Sequence, residues 1–292
     1  MPTVGELIDR AVARLAARGI GSPRLDAEIL LAQVMGLSRA SILASRGETV
    51  PLEAEAKFER LVARREQRVP VAYLLGVKEF WSLEFEINED VLIPRPDTEW
   101  VVSESLRLLQ PAPCDPPLLV ADVGTGAGPI AVSLAHERQD ILVHATDISG
   151  AALEVARRNA RRHGVASRIC FHAGDLLEPI FDLGLAGRIA LVASNPPYVG
   201  DAERVDPEVI RWEPRVAVFG GEAGGEVIAR LVPQAAKALA PGGWLVMEIT
   251  CGREGFVRDL LAEGGVWTDV GMREDYSGLP RILTARRTEG GS

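Results

Sequence analysis

Cysteine is scarce in this 292-residue sequence: Cys114, Cys170 and Cys251 are odd in number, widely separated and form no Cys-x-x-Cys pair. Neither a disulfide framework nor a zinc knuckle is suggested, and a reducing compartment is the expectation. Histidine is also sparse. His136, His144, His163 and His172 have no ligand spacing with one another or with the cysteines, so no metal is implied. No uninterrupted apolar run approaches the roughly 18 residues of a membrane span. The first turns carry Glu6 and Asp9 where a secretory signal would have an apolar core. Internal repeats are absent as well. These absences predict a soluble, cytoplasmic protein with no membrane partner and nothing that demands more than a monomer.

Basic charge is short where nucleic-acid binding would need it. Residues 1–80 hold 12 Lys and Arg against 10 Asp and Glu, whereas the remainder holds 20 against 31. The larger part of the chain would repel a phosphate backbone, so no stable nucleic-acid partner is expected. Arg60, Arg64, Arg65 and Arg68 read as the solvated face of a helix, with a small basic patch as the alternative.

What is present is a hydrophobic content of 47%, enough for a buried core without staples. Val4, Leu7, Ile8, Val12 and Leu15 fall on one helical face. Ser22 and Pro23 announce a second helix, serine as cap and proline at the first position, with Leu25, Ile29, Leu30, Val34 and Met35 as its stripe before Gly36. The expected organisation is a helical domain over 1–75 and a β-hairpin linker over 76–96 with a turn at Asn88–Asp90. The main domain follows over 97–287, then a flexible tail over 288–292. After the proline-rich connection Pro111–Pro117, strands at 118–123, 141–146, 168–172, 189–194 and 244–249 alternate with helical patterns. Two last extended segments lie at 266–272 and 281–285. This alternation predicts an α/β fold, a mostly parallel, Rossmann-like sheet with helices on both faces.

Asp122-Val-Gly-Thr-Gly-Ala-Gly128 follows the first of these strands and opens a helix. Its glycines permit a tight turn and close approach of a ligand to backbone amides at a helix start. The spacing Gly-x-Gly-x-Gly differs from the Gly-x-Gly-x-x-Gly of dinucleotide binding. Asp147, 23 residues after Gly124, ends the second strand where a carboxylate accepts both hydroxyls of a ribose, unless it caps the helix beginning near Ser149. Asp175 is placed to meet an adenine amino group, or else to act as a turn residue, and Leu176 is placed to pack on the ring. Together these elements resemble the nucleoside-binding half of class I methyltransferases, which implies S-adenosylmethionine as the cofactor.

Ser194-Asn195-Pro-Pro-Tyr198 closes the fourth strand, at the sheet edge where open α/β folds bind ligands. A planar amide or aromatic amine has a delocalised lone pair and is a poor nucleophile. The Asn195 side-chain oxygen and the Pro196 carbonyl can each accept one N–H from such a group, orienting it and stabilising developing positive charge. The prolines fix φ without adding donors, and Tyr198 offers a flat face for stacking. The motif does not separate a glutamine amide from the amino group of adenine or cytosine.

Family resemblance separates them. Gly76-Val-Lys-Glu-Phe-Trp81, Val91-Leu-Ile-Pro-Arg-Pro-Asp-Thr-Glu99, Ser194–Val199, Ser22–Leu31, Trp212-Glu-Pro214 and Gly278–Leu283 resemble the release factor glutamine methyltransferases, the PrmC/HemK family. The resemblance covers nearly the whole chain. It implies a helical N-terminal domain, a hairpin and a seven-stranded catalytic domain. The implied substrate is the glutamine of the Gly-Gly-Gln loop of class 1 peptide chain release factors. On that resemblance Gly124, Thr125, Gly126, Ala127 and Gly128 line the methionine part of S-adenosylmethionine, with Asn195 beside it, Asp147 the ribose, and Asp175 with Leu176 the adenine. Asn195, Pro196 and Tyr198 carry the catalytic roles, and with Pro197 they hold the acceptor amide. Arg95 either contacts substrate or pairs with Asp97 or Glu99. Pro129, Leu176, Thr250-Cys-Gly252 and Glu222–Gly225 depart from the usual pattern. Competing functions are an amino-directed DNA or RNA methyltransferase, which would need a basic groove to hold an extracted base, and a noncatalytic cofactor-binding partner of translation.

Overall fold

The fold is given by a computed structural model that describes residues 1–110, 116–275 and 278–289. Two compact units appear, one of residues 1–77 with 206–212, the other of residues 78–205 with 213–292. Most of the proline-rich connection, including Cys114, and the last residues of the expected flexible tail lie outside the described residues.

The helical unit comprises Val4–Ala17, Pro23–Met35, Arg39–Ala44, Leu52–Glu66, Val71–Leu75 and Pro207–Trp212. Its first helix starts with a reciprocal cap: the Thr3 hydroxyl accepts from the Glu6 amide at 3.2 Å, and the Glu6 carboxylate accepts from the Thr3 amide at 2.8 Å. Leu7, Ile8, Leu15, Leu30, Leu31, Phe58 and Val62 then interlock as the core. Ser22 does not cap through its side chain; its hydroxyl donates to Asp26 Oδ1 at 2.8 Å. Pro23 nonetheless takes the first helical position, and Gly36 closes the helix with φ 63°.

The arginine cluster also departs from expectation. Arg65 is 5% exposed, with Nε donating to Asp26 Oδ2 at 2.7 Å and Nη1 to Glu208 Oε1 at 2.8 Å. Arg68 lies beyond the helix end with φ 67° and donates to the carbonyls of Arg18 and Gly19. These two side chains form neither a solvated face nor a basic patch, because both are engaged by acceptors of their own unit.

A hairpin follows, β1 (Val77–Phe80) and β2 (Leu83–Glu86), Val77 being the last residue of the helical unit. Its turn is Trp81–Ser82, with φ of 53° and 57°, and not Asn88–Asp90, which makes a separate later turn around the Asn88 side chain. Two-residue hairpin turns with positive φ normally carry Asn-Gly, so nothing in Trp-Ser announces one. The strain is held by tertiary bonds: the Trp81 amide donates to Glu99 at 2.8 Å and its indole to Glu137 at 2.9 Å.

The remaining strands are β3 (Leu118–Val123), β4 (Ile141–Asp147), β5 (Ile169–Ala173), β6 (Ile189–Ser194), β7 (Val199–Gly200), β8 (Phe219–Gly221), β9 (Leu239–Glu248), β10 (Trp267–Glu274) and β11 (Pro280–Arg287). Seven of them form one sheet in the order β10-β11-β9-β6-β3-β4-β5, and β7 pairs with β8. Strands β3, β4, β5, β6 and β9 run parallel; β11 is antiparallel to β9, and β10, antiparallel to β11 at the edge, runs in the direction of the other five. The seven-stranded, mostly parallel sheet is the expected one, although β9 begins at Leu239 and not near Trp244. Val120, Ala121, Leu191, Val192 and Leu245 are fully buried, as central parallel strands covered on both faces require. From β3 the chain builds outward through β4 and β5, then returns to β6 on the other side of β3. The carboxyl ends of β3 and β6 are therefore the topological switch point, where such sheets open a crevice. Cys170 and Cys251 are free thiols. Among the described residues no helix is long and apolar enough to cross a membrane.

Candidate active site

The glycine loop leaves β3 in the left-handed region, with φ of 71° at Gly124, 55° at Gly126 and 85° at Gly128. A methyl group on Gly124 or Gly126 would meet nothing within 4 Å, so the backbone there borders open space. At Gly128 it would lie 3.2 Å from the Ala156 Cβ, so this glycine permits close helix packing. Pro129 is the first residue of the following helix, where its missing N–H costs nothing. Thr125 and Ala127 are buried; the Ala127 carbonyl accepts from Asn159 Nδ2 at 2.9 Å.

Asp122, at the end of β3, accepts from the Thr125 hydroxyl at 2.6 Å and the Ala131 amide at 3.1 Å, while its Oδ1 has no partner. Full burial pushes its carboxyl up to about 7. In the sequence this residue stood only as the head of the glycine motif, with no role attached to it.

Asp147 stands at the end of β4. Its Oδ2 accepts from the Gly126 amide and its Oδ1 from the Ser149 amide, both at 2.8 Å. The capping of the next helix falls to Ser149, whose hydroxyl accepts from the Ala152 amide. Burial raises the Asp147 carboxyl above its ordinary value, opposed by the bonds from Ser149 and Gly126. Leu176, beyond β5, holds an uncommon left-handed φ of 49°. Beside it Asp175 pairs with Arg230. These side chains converge on a cavity of about 160 Å³, lined by Gly124, Gly126, Asp147, Ile148, Asp175, Leu176, Asn195, Pro197, Phe219, Val227 and Arg230, with Leu92, Val216 and Ala217. Thr125, Ala127, Gly128, Pro196, Tyr198 and Arg95 are not in that lining. Ile148 is 60% exposed, an apolar side chain left at the rim of the cleft.

The Asn195–Tyr198 loop leaves β6 through Ser194, whose hydroxyl donates to the Val123 carbonyl at 2.8 Å and ties the ends of β6 and β3 together. Asn195 Nδ2 donates to Thr98 Oγ1 at 3.0 Å, Thr98 Oγ1 donates to Glu248 Oε2 at 2.6 Å, and the Tyr198 hydroxyl donates to Glu248 Oε1 at 3.2 Å. Glu248 is 2% exposed, and burial pushes its carboxyl up to about 7 against the lowering effect of the two hydroxyl bonds. Burial and the Glu248 charge likewise push the Tyr198 phenol well above its ordinary value. A methyl group on Gly220 would fall 2.4 Å from the Pro197 carbonyl, so only glycine lets β8 approach the loop. Arg95 donates to Glu213 Oε1 at 2.6 Å, while Glu213 Oε2 accepts from the Ile93 amide. The partner of Arg95 is thus Glu213 and not the nearby Asp97 or Glu99.

Comparison with known proteins gives this geometry its family. A profile described as the PrmC N-terminal domain matches residues 6–76, and one described as the methyltransferase small domain matches residues 107–213. A release factor glutamine methyltransferase from Moorella thermoacetica is 42% identical over 288 residues, covering 98% of this chain and 99% of that one. The chain belongs to the release factor glutamine methyltransferase family. A second family member, from Nitratidesulfovibrio vulgaris, is 38% identical over 288 residues, covering 98% of this chain and 95% of its own. A methyltransferase structure from Pyrococcus furiosus shares the fold alone, at a TM-score of 0.50 and 18% identity over 80% of this chain and 98% of that one. Three polar residues to which the sequence attached no role stand at the site: Thr98, Glu248 and Arg230. Thr98 and Glu248 lie 150 positions apart, and only the fold brings them to the Asn195–Tyr198 loop.

Proposed function

We propose that this chain transfers the methyl group of S-adenosylmethionine to the side-chain amide nitrogen of the Gly-Gly-Gln glutamine of a peptide chain release factor. The observation that carries the proposal is the Asn195 amide. Its nitrogen is engaged by Thr98, which leaves its oxygen as a free acceptor at a cavity shared with Gly124, Gly126 and Asp147.

The cavity's donor set fits the cofactor. Asp147 Oδ2 accepts from the Gly126 amide and Oδ1 from the Ser149 amide, with the Ile148 amide also acting on the carboxylate, which keeps lone-pair capacity for a ribose hydroxyl. The open space before Gly124 and Gly126 admits the amino-acid portion against backbone, with Thr125, Ala127 and Gly128 shaping the loop. Leu176, Ile148 and Phe219 provide apolar walls for adenine, and Asp175 an acceptor at its edge. When bound, S-adenosylmethionine supplies an electrophilic methyl group on a sulfonium.

This chain's residues must make a weakly nucleophilic amide reactive. Asn195 Oδ1 and the Pro196 carbonyl accept one N–H each, fixing the nitrogen and stabilising the positive charge it acquires. Pro196 and Pro197 bring no N–H to compete for those acceptors. Tyr198, anchored through its hydroxyl, presents a fixed ring against which the planar amide stacks.

Mass-spectrometric mapping of a release factor incubated with enzyme and cofactor tests the proposal. A single methyl on the amide of the Gly-Gly-Gln glutamine is expected. Modification confined to other residues, or none, would overturn it.

A further inference from the structure

Glu248 is a buried carboxylate for which no basic side chain among the described residues provides an ion pair. Burying an uncompensated charge is costly, and such groups persist where they hold something in place. Here the two oxygens receive different ends of one loop. Oε2 accepts from the Thr98 hydroxyl, whose oxygen in turn accepts from Asn195 Nδ2, and Oε1 accepts from the Tyr198 hydroxyl. Glu248 ends β9, and β6, which carries Asn195 at its exit, is the adjacent strand.

The direction of these bonds matters more than their number. An asparagine side chain is nearly symmetric in shape, and a half-turn about its last bond exchanges a donor for an acceptor. A hydroxyl alone would tolerate either orientation, since it donates and accepts. The carboxylate removes that freedom: it claims the Thr98 proton and leaves Thr98 Oγ1 only as an acceptor toward Asn195. With Nδ2 held there, Oδ1 is the end presented to the acceptor nitrogen. The opposite orientation would set two oxygens against each other inside and aim an N–H at a substrate amide that also donates.

We infer that Thr98 and Glu248 are positioning residues that act through Asn195, fixing its amide with the oxygen toward the glutamine to be methylated. The inference rests on the function proposed above and adds to it the residues that set the acceptor's polarity. Neither needs to touch substrate or cofactor. Their contribution belongs to the methyl-transfer step, where an orientation error of one hydrogen-bonding group is felt most.

The test compares Thr98→Val, Thr98→Ser and Asn195→Ala with the combined Asn195→Ala/Thr98→Val enzyme. Turnover and KM for a purified release factor are measured together with cofactor affinity by calorimetry. Thr98→Val keeps the shape and loses the hydroxyl; kcat is expected to fall roughly 10-fold, with KM and cofactor affinity within about twofold of wild type. Thr98→Ser, which restores the hydroxyl, should return kcat to near wild type. Adding Thr98→Val to Asn195→Ala should cost nothing further, because the residue through which Thr98 acts is gone. A wild-type kcat in Thr98→Val, or an equal loss in both backgrounds, would overturn the inference. Should Thr98→Val not fold, Thr98→Ala carries the same expectations. A wild-type enzyme that leaves the release factor unmethylated would instead overturn the proposed function, so the two failures are distinguishable.

Discussion

Replacing Glu248 by glutamine should shift the stability difference progressively in favour of the variant as pH rises. The carboxyl is held in the fold at about 7, against 4.5 as its ordinary value, because burial disfavours the anion more than the Thr98 and Tyr198 hydroxyls and the Arg281 charge favour it; Asp97 adds to the rise. A raised acid binds its proton more tightly in the folded than in the unfolded chain. Its stabilising contribution is therefore complete below 4.5 and is lost as pH climbs through about 7. The loss amounts to about 3 kcal/mol, since each tenfold difference in proton affinity between the folded and unfolded chains is worth roughly 1.4 kcal/mol. Glutamine does not titrate, so the gap in stability between Glu248→Gln and wild type should widen by about that amount between roughly pH 5 and pH 8. For a domain of this size the change corresponds to roughly 6–12 °C in the difference of Tm values. Asp122, also held at about 7, titrates in both proteins and cancels from the comparison. Calorimetric scans of both proteins across that range supply the measurement. A Tm difference that stays constant with pH would refute the reasoning, because the carboxyl would then titrate alike in the folded and unfolded chains.

Other perturbations separate the roles of neighbouring residues. Asn195→Ala should lower turnover about 10²- to 10³-fold while leaving cofactor affinity nearly intact, as calorimetry and steady-state rates would show. Asp147→Ala removes the acceptor for the Gly126 and Ser149 amides and should weaken cofactor binding about 10- to 100-fold, read by calorimetry. Arg65→Ala removes the shortest ion-pair partner of Asp26 and Glu208, leaving them the Ser22 hydroxyl and Arg68, and should destabilise the helical unit by about 2–3 kcal/mol, measured by denaturant unfolding.

The sequence exposed the sheet more fully than the site. Strand β6 was legible to the residue, because Ile189–Ser194 is an apolar run ended by Asn-Pro-Pro. The glycine loop and Asp147 were legible too, since their chemistry is local: glycines after a strand and an acid at the end of the next one. Features that depend on distant partners were hidden. Trp81–Ser82 forms a turn in which Trp81 is held by Glu99 and Glu137, whereas propensity alone assigns it to a strand. Arg65 looked solvated because its neighbours in sequence are charged, whereas its acceptors come from residues 26 and 208. Arg95 had acidic neighbours at 97 and 99 and found its partner at 213. Glu248 sits at the end of a strand that the sequence marked as core, and nothing local tells a functional acid from an ordinary strand terminus.

The central claim is tested most directly by transfer of labelled methyl from S-adenosylmethionine to purified, unmodified release factor, run beside the Gly-Gly-Gln variant with alanine for glutamine and beside DNA. The account predicts label on the unmodified factor alone. Equal label on the alanine variant would contradict the assignment of the acceptor, and label on DNA would contradict the reading of this chain as a protein methyltransferase.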